Sequence, residues 1–163
     1  MKQLKLPAVF MRGGTSKAIV FHRKDLPADR ALWDDIFLAA IGSPDPSGRQ
    51  LDGMGGGVSS VSKVCVVGPS SRTDADIDYT FAQVLVKDRR VDYSGNCGNM
   101  SSAMGPFAVD EGLVTGGDGE SVVLIHNTNT KKIIRSRFGM DQGQAAVDGE
   151  LSIPGVSGTG APV

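Results

Sequence analysis

The ten residues Met100 to Val109 constrain this chain most. Met100, Ala103, Met104, Phe107 and Ala108 make the run apolar over most of its circumference, and a helix of that kind belongs inside a protein. Something else in the chain must enclose it. What the chain offers is a series of short strand-like runs, and its 22 glycines in 163 residues, well above the ~7% average, place tight turns between them. A curved sheet wrapped around one central helix follows, an α+β domain. Pro106 falls inside the helix and is expected to bend or shorten it.

Lys5 to Met11 and Ala18 to His22 read as strands flanking the turn Arg12-Gly13-Gly14-Thr15-Ser16-Lys17. Pro27 to Ile41 reads as a helix: proline stands near its start, Leu32, Ile36, Phe37, Ala40 and Ile41 share a face, and Gly42 closes it. Ser43 to Gly57 is a loop. Its last part, Gly53-Met54-Gly55-Gly56-Gly57, is either a flexible turn or a backbone surface for a ligand. Val58 to Val67, Ile77 to Val86, Ser121 to His126 and Lys132 to Phe138 read as strands, with short pieces near Ala145 and Leu151. The tail, Ile153 to Val163, has the composition of a linker without a closing element. Residues 1–163 are therefore expected to form one domain, with 153–163 leading toward another.

A net charge of −1 gives no electrostatic reason to expect nucleic acid or an acidic membrane as partner. No apolar run approaches the roughly 20 residues of a membrane span, and the first residues lack the core of a signal peptide. Cys65 and Cys97 are too few for a disulfide framework, so a reduced, cytoplasmic protein is expected. Neither glycine-rich turn has the spacing of a phosphate or dinucleotide loop. His22 and His126 stand alone, and no cysteine pair has metal-ligand spacing, so no metal is expected. His22 reads as an exposed strand end, and Asp74, Asp76 and Asp78 as a solvated strand entry.

Two residues carry chemistry. Cys97 lies in Ser94-Gly-Asn-Cys-Gly-Asn-Met100, between a strand-like run and the enclosed helix. That places its sulfur at a helix N-terminus, where free N–H groups and the helix dipole favour anions and a thiolate. Asn96 and Asn99 are either turn residues or holders of substrate carboxylates, and Thr15 and Ser16 either stabilise a turn or share that task. Lys63 shares one strand face with Val61, Cys65 and Val67 by period-2 alternation. It is either an edge-protecting, snorkelling lysine or a partly desolvated one able to move a proton near neutral pH.

Three segments together resemble one family: Met11-Arg-Gly-Gly-Thr-Ser-Lys17, Asp52-Gly-Met-Gly-Gly-Gly57 continuing to Ser62-Lys63, and Ser94 to Met100. They are similar to the PrpF-type isomerases, the 2-methylaconitate cis-trans isomerases of propionate catabolism and the methylcitrate cycle. Relatives of that family are oxalomesaconate tautomerases and aconitate isomerases. The resemblance runs from about Lys5 to the end of the chain and implies the diaminopimelate epimerase-like fold. In that fold two similar domains each wrap a curved sheet around a helix, with the active site between them. It also implies cofactor-independent chemistry on small unsaturated di- or tricarboxylates. Lys63 and Cys97 then fall on the proton-moving positions, and Thr15, Ser16, Lys17, Ser62, Asn96, Gly98, Asn99 and Met100 on the substrate-binding turns. Which of Lys63 and Cys97 removes the proton stays open. Ala18 stands where the family usually has glycine, and the family chain is more than twice as long.

With one wall of the cleft, activity is expected to be weak or absent. The alternatives are a non-catalytic carboxylate-binding remnant and, against the lack of a nearby resolving cysteine, a thiol redox protein. A homodimer is compatible with any of these.

Overall fold

A computed structural model describes residues 3–163. Ten strands and two helices follow in the order β1 Val9–Gly13, β2 Ser16–His22, α1 Trp33–Ile41, β3 Lys63–Pro69, β4 Ile77–Val84, β5 Val91–Asp92, α2 Gly98–Asp110, β6 Glu120–Asn127, β7 Lys132–Asp141, β8 Gln144–Ala145, β9 Leu151–Ser152 and β10 Thr159–Gly160. Eight strands form one sheet in the order β1-β2-β3-β4-β6-β7-β8, with β5 added to β4. The β2–β3 and β4–β6 pairs are parallel and the rest antiparallel.

The sheet curls around α2 as the all-round apolar pattern requires. Ala18, Val20, Cys65, Val67, Tyr79, Phe81, Ile125 and Phe138 face Met100, Ala103, Met104, Phe107 and Ala108 in one core. The closest approach is at Gly105, where a Cβ would collide with Ser136 and Phe138 of β7. Alternate residues of the central strands, Ile19, Phe21, Val64, Val66, Ala82 and Val84, pack outward against Trp33, Phe37, Leu38 and Ile41 of α1. Strands β2 to β4 are thus buried on both faces, which explains why they read as near-continuous apolar runs.

Several expectations are corrected. Strand β1 begins only at Val9, and β4 ends at Val84. The first helix starts at Trp33 after a 3-10 turn, Arg30–Leu32, capped by Asp29. Pro27 lies before it, and its carbonyl accepts from Trp33 Nε1 at 2.9 Å. Pro106 does not shorten α2, which runs on to Asp110. Ser102 and Pro106 are both only half-buried, so the turn lacking the proline N–H lies on the less enclosed side. Val58 to Val67 is not one strand. Ser59–Val61 is a 3-10 turn, closed by Ser62 Oγ donating back to Val58 O at 2.8 Å, so Val61 does not share the face of Lys63.

The far end of the sheet also differs. His22 is half-buried, 3.0 Å from Glu111 and 5.1 Å from the Phe107 ring. Asp78 and His126 are not a solvated entry and an isolated histidine. They are paired by the β4–β6 register and joined at 2.9 Å within the fold. The 43–57 loop is tightly tied: the Asp45 carboxylate accepts from the N–H of Ser47, Arg49 and Gln50, and Gln50 is buried. Within the tail Thr159–Gly160 pairs with Leu151–Ser152. No helix among the described residues is long and apolar enough to cross a membrane.

Candidate active site

The β1–β2 hairpin puts its tip on the first turn of α2. Gly13 pairs with Ser16, and Gly14 turns the chain with φ +53°. A Cβ on Gly13 would overlap the Asn99 carbonyl, and one on Gly14 would meet the Asn99 side chain, so both positions require glycine. The close approach lets Asn99 Nδ2 donate to Thr15 Oγ1 at 2.9 Å and to Ser16 Oγ at 3.4 Å. Ser16 is only 3% exposed.

The Cys97 loop is fixed from the opposite side. Strands β5 and β6 both pair with β4, one at each end, and Asn129 fills the gap between them. Its side chain accepts from Phe81 N and donates to the carbonyls of Phe81 and Tyr93 at 2.7–2.8 Å, imitating a strand neighbour. One step along, Asn96 Oδ1 accepts from Asn127 Nδ2 at 2.8 Å and from Ser101 Oγ at 3.1 Å. Cys97 is therefore delivered as the N-cap of α2, with an extended backbone and its carbonyl accepting from Ser101 N. Its thiol makes no cap bond and lies 3.9 Å from Ser16 Oγ. The first-turn N–H groups of Gly98, Asn99 and Met100 have no partner within the helix and carry its positive dipole end.

Lys63 completes the group. Ala18 of β2 is its parallel partner, so Ser16, Ala18, Lys63 and Cys65 look to the same side of the sheet, toward α2. Lys63 is 7% exposed. Its Nζ donates to Gln83 Oε1 at 2.6 Å and lies 5.4 Å from the Phe81 ring centroid. Burial pushes the amine below its ordinary range, and negative charge on Cys97 or Cys65 would push it back up. Lys63 is not an edge-protecting lysine, because β3 is an interior strand and the residue is buried. Cys65 is fully enclosed, and burial pushes its thiol up to about 12. It is a core residue and a poor redox partner.

The expected site residues do not all converge. Thr15, Ser16, Cys97 and Asn99 are brought together by direct contacts, and Lys63 shares their side of the sheet. Asn96 braces the loop, with its carbonyl oxygen already engaged twice. Gly98 is exposed with open space around it. Met100 is fully buried in the core, so only its backbone can meet a ligand. Lys17 alternates with Ser16 and belongs to the opposite side of β2, because the hairpin register turns it away. Ser62 is also fully buried; its hydroxyl donates to Gln50 Oε1 and Val58 O. It holds the loop and is not free for substrate.

Gln83, the partner of Lys63, is a further residue that the family motifs do not include. The signal was there: it is a polar residue on the β4 stripe of Ile77, Tyr79 and Phe81. A cleft of about 400 Å³ between β1, α2 and the tail contains neither Lys63 nor Cys97. A shallower hollow of about 300 Å³ lies at the α2 N-terminus, lined by Asn96, Gly98 and Ser101. No cluster of three or more metal-ligating side chains occurs among the described residues.

The chain is 49% identical over 160 residues to a 3-methylitaconate isomerase of Eubacterium barkeri, covering 98% of this chain and 42% of the relative. It is 45% identical over 161 residues to a 4-oxalomesaconate tautomerase of Pseudomonas putida, covering 99% and 44%. Against a 2-methyl-aconitate isomerase of Cupriavidus necator the figures are 41% over 169 residues, 99% and 43%. The chain thus spans less than half the length of these relatives. A crystal structure of methylitaconate-delta-isomerase superposes with a TM-score of 0.92 at 49% identity, over 96% of this chain and 40% of that one. A probable proline racemase from Agrobacterium radiobacter superposes at 0.56 with 12% identity, over 91% and 46%, and shares the fold alone. That fold is of the racemase and epimerase type, similar to diaminopimelate epimerase. The PrpF protein family model matches residues 3–163, and the chain belongs to that family.

Proposed function

We propose that this chain carries the proton-moving half of a cofactor-independent isomerase that shifts a double bond in a small unsaturated di- or tricarboxylate. The observation that carries the reading is Lys63: a desolvated amine in an apolar stripe, without an ion-pair partner among the described residues, on the side of the sheet where Cys97 caps α2. Burial makes a neutral amine accessible, as a general base requires. The amine takes a proton from the carbon next to a carboxylate, and the charge spreads through the double bond onto the carboxylate oxygens. The N–H groups of Gly98, Asn99 and Met100 and the Ser16 hydroxyl stabilise that charge. A proton then returns at the other end of the allylic system, from Cys97 if Lys63 took the first. The reverse assignment balances equally.

Substrate carboxylates sit against Thr15, Ser16 and Asn99. The first substrate we propose is 2-methylaconitate; 3-methylitaconate is the second reading, favoured by the higher identity to the isomerase of that name. Because the relatives are more than twice as long, the opposite cleft wall is proposed to come from sequence outside the matched part, and the chain alone to work slowly. Incubation with 2-methylaconitate, 3-methylitaconate and 4-oxalomesaconate, followed by proton NMR, tests this. Isomerised product from one of the three is expected. Tight binding of all three with no product would instead leave a carboxylate-binding domain.

A further inference from the structure

We infer that Gln83 is a positioning residue for proton transfer at Lys63: its amide, locked by the backbone of residues 59–62, offers the amine one oxygen in one place. The inference rests on the reading of Lys63 as a proton-moving group. The strand register sets the pair, since Lys63 and Gln83 stand directly opposite on β3 and β4. Gln83 Oε1 accepts from Lys63 Nζ at 2.6 Å. Its Nε2 donates to Ser59 O at 3.1 Å and Ser62 O at 3.0 Å. A flipped amide would set its oxygen against the carbonyls of Ser59, Ser62 and Val84 and its NH2 against the amine, so the orientation is decided by the network.

The choice of an amide matters. A carboxylate at this position would hold the lysine as an ammonium, and an aliphatic side chain would let the amine swing on its four-carbon stem. A neutral, acceptor-only oxygen ties down one N–H and leaves the lone pair usable. The other groups around the amine fit that purpose. They are Cys65 on its own strand, with Tyr79 behind it, Cys97 at the start of α2, and the Phe81 ring. Among the described residues no carboxylate forms an ion pair with Lys63. The 3-10 turn Ser59–Val61 gains a role as well, since it supplies one of the carbonyls that aim Gln83.

The test is a pH titration of the Lys63 side chain by NMR of the ¹³C-lysine-labelled chain, with its resonance assigned by Lys63→Arg. Wild type is compared with Gln83→Met and Gln83→Glu. Gln83→Met is expected to lower the Lys63 midpoint and Gln83→Glu to raise it, the latter by about one unit or more. Deuterium wash-in from solvent into substrate is expected to fall about tenfold or more in both variants. Shifts of opposite sign are a result that a packing role alone would not give. The near-isosteric Gln83→Glu keeps the test alive should Gln83→Met fail to fold. A Lys63 midpoint unmoved in Gln83→Glu overturns the inference, even with substrate turnover intact. Opposite shifts without any turnover uphold the positioning of Lys63 and remove the isomerase reading instead.

Discussion

The two ends of the β3–β4 pair each bury a charge, and they treat it in opposite ways. At the far end Asp78 is matched: His126 Nδ1 donates to it at 2.9 Å and Arg23 lies 3.8 Å away. Burial pushes the Asp78 carboxyl up, but hydrogen bonds from His126 and Ser71 outweigh it and hold the group below its ordinary value. At the near end Lys63 meets an amide, an aromatic ring and two thiols, and burial wins. One end neutralises its charge and is structural. The other leaves a titratable group without an ion-pair partner among the described residues, as the proton transfer proposed for it requires.

The largest effect that separates the two ends is on turnover. Lys63→Ala is expected to reduce isomerisation by about 10²–10⁴-fold, the usual contribution of a general base, while Asp78→Ala leaves the chemistry of the folded protein largely intact. Steady-state rates by NMR check both. For stability the order reverses. Asp78→Ala strands His126 in the fold and is expected to cost about 3 kcal/mol in urea unfolding.

The pH dependence follows from the same asymmetry. Asp78 has a depressed folded pKa, so its contribution is present above the ordinary carboxylate value of 3.8 and is lost as pH falls through the folded one. Asp78→Ala should therefore flatten the acid limb of the stability profile. A limb as steep as in wild type would break the comparison.

Two smaller effects sharpen it. Gly13→Ala forces a Cβ into the Asn99 carbonyl and is expected to cost about 1–3 kcal/mol while lifting the hairpin from α2. Substrate affinity measured by calorimetry should weaken together with stability. Lys63→Met should instead stabilise the fold slightly, by under about 1 kcal/mol at neutral pH, since it removes a desolvated ammonium. The sign is that of a lowered lysine: the unfolded chain holds the proton more tightly, so wild-type stability rises with pH between the folded value and the ordinary 10.5. Lys63→Met should lack that rise.

What the sequence disclosed at the two ends differs for a physical reason. Cys97 is legible because its signal is local: a glycine-flanked polar turn directly before an all-round apolar helix. Lys63 is legible through strand alternation, although the 3-10 turn just before it removes Val61 from the stripe and engages Ser62. The side of the sheet that Lys17 takes is not legible, because one step in a hairpin register exchanges the two faces. The Asp78–His126 pair could not be read at all. It depends on a parallel pairing of strands 48 residues apart, with α2 threaded between them. Composition records no such distance.

The measurement that tests the central claim most directly is solvent deuterium wash-in. The chain is incubated in D2O with 2-methylaconitate and, separately, 3-methylitaconate, alongside Lys63→Ala and Cys97→Ser, and the vinylic and allylic protons are followed by NMR. Slow wash-in by the wild-type chain, reduced to background by each substitution, is the predicted result. Wash-in that survives Lys63→Ala, or none at all from the folded wild-type chain, would contradict the assignment of proton transfer to this end of the sheet.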